Sequence, residues 1–147
     1  MASLPDFENV LASERYLAVV CTTRRDGSVQ ASVVNVGVLD HPARGEPVAA
    51  FVARGDALKL RHLRRDPRMT LVARSGWQWA AVEGSTELVG PDDPYDGVDE
   101  AARAELLRAV FRAAGGTHDD WDAYDRAMAE ERRVVVLVSP TRVYSNA

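Results

Sequence analysis

Short apolar segments rich in β-branched residues, separated by turn residues, constrain the fold of this chain more than any other feature. Tyr16–Thr22 is a compact apolar run and Ser28–Leu39 carries five valines, so each is predicted to be a strand. Asp26 and Gly27 lie between them, and an Asp-Gly pair between two strands is typical of a tight hairpin turn. The sequence therefore predicts that the first two strands form an antiparallel hairpin.

The rest of the chain continues this pattern with helices at a few places. Further strands are predicted at Pro47–Ala53, Arg68–Arg74, Trp77–Val89 with a bulge at Gly84, Val134–Val138 and Thr141–Tyr144, the last two broken by Pro140. Helices are predicted at Pro5–Glu14 after Ser3, from an Asp56 cap to about Arg65, from an Asp99 cap to Ala114, and after an Asp119 cap. One domain over residues 1–147 is expected: mainly β (α+β), an antiparallel barrel of about six or seven strands with about four peripheral helices.

Composition excludes several classes of function. The net charge is −4, which disfavours a nucleic-acid binder because phosphate neutralisation needs a positive surface. No apolar run is long enough to span a bilayer, and no signal peptide is recognisable. A single cysteine permits no internal disulfide. We therefore expect a cytoplasmic protein with no membrane partner.

The segment from Arg54 to Arg68 stands out because it concentrates positive charge in an acidic protein. Its six cations are Arg54, Lys59, Arg61, Arg64, Arg65 and Arg68. Lys59 falls in the first turn of a predicted helix, where free backbone N–H groups and basic side chains together suit a phosphate. A basic helix face that is simply solvated is the alternative, and composition alone does not decide between the two.

Other polar residues give no sign of a metal site or a catalytic group. His41 lies in a proline-containing loop and is expected to be solvated, and the histidine spacings match no zinc pattern. Cys21 lies in a valine-rich strand and is best interpreted as a small buried apolar residue. The sequence supplies no base to activate it, so no catalytic residue is assigned.

Four segments together resemble a known family. They are Lys59–Arg68, which reads KLRHLRRDPR; Gly76–Gly84, which reads GWQWAAVEG; His118–Tyr124; and Arg132–Val134 with Arg142–Tyr144. In order and spacing they are similar to the pyridoxamine-phosphate-oxidase-like split-barrel proteins, and more narrowly to the branch of flavin/deazaflavin oxidoreductases that use coenzyme F-420. His62 stands where that family usually has asparagine.

The resemblance implies a split β-barrel that is active as a homodimer, with the cofactor in a groove between two barrels. It implies that Lys59 and Arg61 hold the cofactor phosphate, that Ser32–Val36 line the ring, and that Trp77–Trp79 approach from the other subunit. Trp77 and Trp79 are expected on one strand face, where core or interface packing is the alternative role. The candidate cofactor-binding residues are Ser32, Val33, Val34, Asn35, Val36, Leu58, Lys59, Leu60, Arg61, His62, Arg64, Trp77, Gln78 and Trp79.

The function that this resemblance implies is hydride transfer from reduced coenzyme F-420 to a small electron-poor organic molecule, for example an enone. Two alternatives stay open at this point: an FMN-dependent oxidoreductase of the same fold, and a non-catalytic module that only binds flavin or deazaflavin. The longer anionic tail of the deazaflavin would call for additional arginines such as Arg64. DNA binding through the basic helix is a third alternative, disfavoured by net charge.

Overall fold

The computed structural model describes residues 2–147 and contains seven strands and four helices. In chain order they are α1 (Leu4–Ser13), β1 (Leu17–Thr23), β2 (Val29–Asn35), β3 (Gly37–Asp40), β4 (Pro47–Ala53), α2 (Leu58–Arg65), β5 (Arg68–Ser75), β6 (Gln78–Val89), α3 (Glu100–Ala113), α4 (Trp121–Glu130) and β7 (Val134–Ser145). The predicted fold class, an antiparallel strand-rich α+β architecture, is confirmed.

A single seven-stranded sheet contains all the strands, in the order β2-β1-β5-β6-β7-β4-β3, and every neighbouring pair is antiparallel. The β1–β2 hairpin forms as predicted, with Leu17 opposite Asn35 and Thr23 opposite Val29. Gly27 in its turn has a φ of 88°, a left-handed conformation that glycine adopts without steric cost. The two edge strands, β2 and β3, follow one another in the chain, so the ends of the sheet meet around Val36.

The neighbouring strands β4 and β7 are buried on both faces of the sheet, β7 over Val134–Val138. Val134, Val136 and Val138 of β7 face the barrel interior, where Phe7 and Leu11 of α1 are fully buried. Val135 and Leu137 point the other way, into a second core formed with α3 and α4. Because both faces are covered, the sequence here is a continuous apolar run rather than an alternating one.

Several boundaries differ from the sequence-based expectation. The predicted strand Ser28–Leu39 is two strands, because Val36 is fully buried at the corner between β2 and β3. The last two predicted strands are one, since Pro140 lies at the β-bulge of the β6–β7 ladder, opposite Gly84. A Cβ at Gly84 would lie 2.5 Å from the Ser139 carbonyl oxygen, which explains why glycine occupies this bulge.

Two predicted helix caps are also wrong. Ala57, not Asp56, is the N-cap of α2, and it makes no side-chain capping bond. Asp120, not Asp119, caps α4, where its carboxylate accepts from the Ala123 amide. Asp99 caps α3 as predicted, accepting from the Ala102 amide at 2.8 Å. In both wrong cases the predicted cap is an acidic residue one position before the observed cap, so the predicted start of the helix differs by one residue.

The loop after β3 is fixed by a polar network that the sequence did not indicate. His41, expected to be solvated, is 2% exposed, and its Nε2 lies 3.0 Å from Glu87 Oε1. The Nδ1 atom accepts from the amides of Ala43 and Arg44, so the ring proton is on Nε2 and is donated to Glu87. His41 therefore anchors the loop to β6.

No helix in residues 2–147 is both long enough and apolar enough to cross a membrane.

Candidate functional site

Ion pairing separates the six cations of the basic segment into two groups. Arg64 makes a bidentate pair with Asp93, Arg68 pairs with Asp66, and Arg54 lies near Asp56 and Glu131. Arg65 donates to the carbonyl oxygen of Thr23. Lys59 and Arg61, like Arg65, find no carboxylate partner among residues 2–147, and unlike Arg65 they make no side-chain hydrogen bond there either. The two residues that the family resemblance assigns to phosphate are thus the two cations of the cluster that have neither an ion pair nor a side-chain hydrogen bond within the described residues.

Lys59 and Arg61 nevertheless point to different sides of α2. Successive helix residues turn by about 100°, so residues two apart lie on nearly opposite faces. Lys59 is half-buried on the side of the fully buried Leu60, whereas Arg61 is exposed on the side of Arg64. Burial lowers the pKa of Lys59, and the positive charge of Arg133 lowers it further. A desolvated cation beside a second cation is a place where an anion is stabilised.

The chain connection before α2 brings Lys59 within electrostatic range of Arg133. The Gly55 amide donates to the Glu131 carbonyl oxygen at 3.1 Å, which ties the start of α2 to the turn before β7. A Cβ at Gly55 would lie 2.5 Å from the Arg132 carbonyl oxygen, so only glycine permits this approach. Arg133 itself pairs through Nε with Glu131 Oε1 at 2.7 Å.

Arg133 lines a cavity of about 360 Å³ at the edge of the sheet, which we call the edge cavity. Its walls come from β2, β4, α3 and α4, and they are Val34, Asn35, Val52, Val110, Phe111, Ala114, Tyr124, Met128 and Arg133. Most of the lining side chains are apolar or aromatic. Asn35 contributes an amide and Arg133 a guanidinium. Such a lining suits a flat, largely apolar ligand that carries an anionic group.

The structure places the predicted ring-lining residues Ser32–Val36 in three environments. Val34 and Asn35 line the edge cavity, and Asn35 also donates to the Arg15 carbonyl oxygen at 3.0 Å. Val33 is 63% exposed on the outer face of the sheet, and Ser32 is half-buried. Val36 is fully buried in the barrel core, so its side chain does not face a cavity.

The remaining candidates on α2 are divided between core and surface. Leu58 is 46% exposed, while Leu60 packs into the core. His62 is buried, and its Nδ1 lies 2.9 Å from the Thr22 hydroxyl. Burial lowers the pKa of His62, and the nearby charges of Arg65 and Arg24 lower it further. His62 thus supports the attachment of α2 to β1.

The tryptophan segment lies at a different cavity. Trp77 belongs to the turn before β6 and is 94% exposed, so the expectation that it shares a strand face with Trp79 is wrong. Gln78 and Trp79 line a cavity of about 530 Å³ between α1 and the ends of β6 and β7. Trp79 packs edge-on against Tyr144 there, with ring centroids 6.1 Å apart. One chain alone does not bring these residues to the edge cavity.

Sequence analysis missed the contributions of α3 and α4 to the edge cavity. Phe111, Trp121 and Tyr124 form an aromatic cluster, with Tyr124 ring centroids 5.0 Å from Phe111 and 5.3 Å from Trp121. Burial raises the pKa of Tyr124 to about 12, and its hydroxyl donates to the Leu107 carbonyl oxygen at 3.0 Å. Tyr124 therefore stays neutral and serves as a wall. The four-residue spacing of Tyr124 and Met128 predicts that both lie on the inward face of α4, but it does not predict that this face lines a cavity.

Histidine, cysteine and acidic side chains form no group of three or more suited to a metal ion within the described part of the chain.

Comparisons with known proteins bear on the fold. No family model matches the chain. Among solved structures, a conserved hypothetical protein from Mycobacterium tuberculosis superposes with a TM-score of 0.70 at 19% identity, covering 99% of this chain and 84% of that one. An F-420 reductase superposes with a TM-score of 0.62 at 18% identity, covering 94% and 95%. A pyridoxamine 5'-phosphate oxidase-related, FMN-binding protein from Nostoc punctiforme gives 0.60 at 11%, covering 93% and 80%.

These superpositions run over nearly the whole chain, so they compare the complete sheet and its helices rather than one motif. At these identities a similarity establishes the architecture and not the activity. Together with the antiparallel strand order and the helix positions, they show that this chain has the split-barrel fold of the pyridoxamine 5'-phosphate oxidase-like proteins.

Proposed function

We propose that the protein is an oxidoreductase that binds a flavin or deazaflavin cofactor, with the ring in the edge cavity and the phosphate near Lys59. The observation that carries the proposal is the placement of Lys59, a half-buried cation with no carboxylate partner among residues 2–147, within electrostatic range of Arg133 at this cavity. Burying an unpaired charge is costly, so a protein keeps one where a ligand supplies the counter-charge.

The residues present fit such a group. Val34, Phe111 and Met128 offer apolar contact to a ring system, and Asn35 offers an amide for a ring carbonyl or nitrogen. Lys59 and Arg133 supply positive charge for a phosphate. Arg61, on the outer side of α2, is free of ion pairs within residues 2–147 and remains a candidate second phosphate contact.

A bound deazaflavin or flavin supplies the hydride, and the protein has to bind, orient and exclude water. Phe111 and Met128 keep one wall of the cavity apolar, which limits water around the ring. Tyr124 stays protonated, because its pKa lies at about 12, and its hydroxyl is already committed to a backbone carbonyl. We therefore expect the proton that follows the hydride to come from solvent.

Within this class we propose coenzyme F-420 as the cofactor and a conjugated double bond, such as that of an enone, as the acceptor. The support is the similarity of the KLRHLRRDPR helix and the GWQWAAVEG strand to the F-420-dependent branch, and the F-420 reductase among the superposed structures. FMN is the alternative cofactor, supported by the superposed FMN-binding protein. A module that binds the cofactor without turnover is the other alternative.

A fluorescence-quench titration with oxidised F-420, run beside FMN, tests the proposal. Trp121 is the reporter, because it contacts the Phe111 and Tyr124 walls of the edge cavity. We expect saturable quenching by F-420 at micromolar concentrations and loss of most of that signal in Trp121→Phe. Tighter binding of FMN would select the alternative cofactor, and binding of neither would refute the proposal.

We also propose that the active form is a homodimer, assembled through the outer face of β2, β1 and β5. Val33, Val19 and Val72 form one row across these strands on that face. Val33 of this row is 63% exposed, and Val29 on the same face of β2 is 59% exposed, so this face presents apolar surface to solvent in the single chain. A second copy on this face would cover this apolar surface.

Val33→Lys is expected to convert the dimer to a monomer, because it places a charge on the most exposed valine of the apolar row. Sedimentation velocity measures the change directly. The control is Ala101→Lys, which adds the same charge at an exposed position of α3, a helix that packs on β3 and β4. Dissociation by the control as well, or a wild-type protein that sediments as a monomer, would contradict the proposed interface.

A further inference from the structure

The loop between β6 and α3 carries two carboxylates that face two arginines of the basic region. Asp93 accepts from Arg64 Nε at 2.9 Å and from Arg64 Nη2 at 2.6 Å. Asp92 accepts from Arg132 Nη2 at 2.7 Å. Arg64 lies on α2 and Arg132 on the turn before β7, the same two segments that bring Lys59 and Arg133 together. The loop thus holds two internal anions against arginines of the segments that carry Lys59 and Arg133.

The Arg64–Asp93 pair has the geometry that an arginine adopts with a ligand carboxylate. Both oxygens of Asp93 are engaged by two nitrogens of one guanidinium, an arrangement in which arginine recognises planar anions. The Asp93 side chain is 13% exposed and the Arg64 side chain 37%, so the pair is accessible from the Arg64 side. An outside carboxylate would compete with Asp93 for the same donors.

The loop does not need the Asp93 carboxylate to keep its shape. Backbone hydrogen bonds join Gly90 and Asp93 in both directions, at 3.0 and 3.1 Å. The Val98 amide donates to the Tyr95 carbonyl oxygen at 3.0 Å, and the Tyr95 hydroxyl donates to Glu87 at 2.8 Å. Because these bonds hold the loop at both ends, the carboxylate of Asp93 is free to act mainly through its charge.

We infer that Asp93 is a specificity-determining residue that occupies Arg64 and so denies this arginine to the carboxylates of an anionic cofactor tail. The inference rests on the proposed function. Arg61, the candidate second phosphate contact, lies one helical turn before Arg64 on the same exposed side, so a tail that extends from a phosphate held at Arg61 would pass Arg64. A ligand that ends at its phosphate does not reach this pair and gains nothing from its opening.

The test compares F-420, whose tail is anionic beyond the phosphate, with FMN, which ends at the phosphate. Asp93→Asn is expected to tighten F-420 binding by about two- to fivefold, the range that one released ion pair allows, and to leave FMN binding unchanged. Asp96→Asn is the matched control, because Asp96 is exposed in the same loop and makes no ion pair within residues 2–147. It removes the same charge without releasing an arginine.

The double variant Asp93→Asn/Arg64→Gln is expected to return F-420 binding to the wild-type affinity, which assigns the gain to Arg64. Equal tightening by Asp96→Asn, equal tightening for FMN, or no change in Asp93→Asn would overturn the inference while leaving the proposed function in place. Binding of neither cofactor to any of these proteins would overturn the proposed function and the inference with it. Circular dichroism of each variant shows whether the fold is retained.

Discussion

Lys59→Ala is expected to weaken cofactor binding by about 1.5–3 kcal/mol, on the order of ten- to a hundredfold in Kd. The substitution removes a half-buried cation that has no internal carboxylate to balance it and that lies within electrostatic range of Arg133. The phosphate of either cofactor would lose a charged hydrogen-bond donor, so F-420 and FMN should be affected alike. The tryptophan-quench titration gives both affinities.

The folded protein should tolerate this change. Lys59 gains no stabilising partner within residues 2–147, and burial beside Arg133 already lowers its pKa. The free energy of unfolding is therefore expected to stay the same or rise slightly in Lys59→Ala. Arg68→Ala is the control: it removes the same charge from an exposed residue that is paired with Asp66. A Kd that rises equally in the control would show that general charge, and not Lys59, attracts the ligand.

The pH dependence of binding gives a second readout for Lys59. A lysine with a lowered pKa loses its charge at a lower pH than an exposed lysine does. Cofactor affinity should accordingly begin to decline at a lower pH than for an ordinary lysine contact, and this decline should be absent in Lys59→Ala.

The parts of the fold that were predictable from sequence depend on local patterns. The bounds of β4, Pro47–Ala53, were predicted correctly, because an apolar run is flanked there by a loop and by a polar turn. The hairpin was predicted because the turn at Gly27 favours a left-handed backbone conformation, and the bulge because a glycine within a strand pattern is typical of one. Local signals of this kind do not depend on distant contacts.

The candidate site was less predictable, because its electrostatics are set by residues far apart in the chain. Arg64 and Asp93 are separated by 29 positions, so the pairing that removes Arg64 from the free cations has no local signature. The start of α2 was misplaced for a similar reason. The Gly55 amide bonds to the Glu131 carbonyl oxygen, a tertiary contact that the sequence around Asp56 does not indicate, and the helix begins after Ala57.

Glu87 was not singled out in the sequence, yet it joins three parts of the chain. It accepts hydrogen bonds from His41, from Arg44 at 2.9 Å and from the Tyr95 hydroxyl at 2.8 Å. Burial pushes the pKa of Glu87 upward, but the hydrogen bonds from Arg44, Tyr95 and His41 outweigh burial and hold it at about 2. Glu87 is therefore charged at neutral pH and serves as the common acceptor of the network.

Glu87→Ala is expected to lower the free energy of unfolding by about 2–3 kcal/mol, because the buried His41 loses the acceptor of its Nε2 proton. For a chain of this length that corresponds to a Tm lower by roughly 5–10 °C. Glu46→Ala is the control, since Glu46 also pairs with Arg44 but half of its side chain is exposed. The control should cost less than about 1 kcal/mol. Equal losses in the two variants would show that the buried network adds nothing beyond a surface ion pair.

The decline in the free energy of unfolding at acid pH tests whether the charge of Glu87 is the cause of this stabilisation. Its pKa is about 2 in the folded protein against an ordinary value of 4.5, so the folded state binds this proton less readily than the unfolded state. The stabilisation is present above the unfolded pKa and is lost as pH falls from about 5 to about 2. Glu87→Gln keeps the size and one acceptor but not the charge. Its unfolding free energy should therefore fall less steeply across this range than that of the wild type, as measured by urea denaturation. Parallel profiles would mean that the pKa of Glu87 is the same in the folded and unfolded states, which would contradict the proposed stabilisation by its charge.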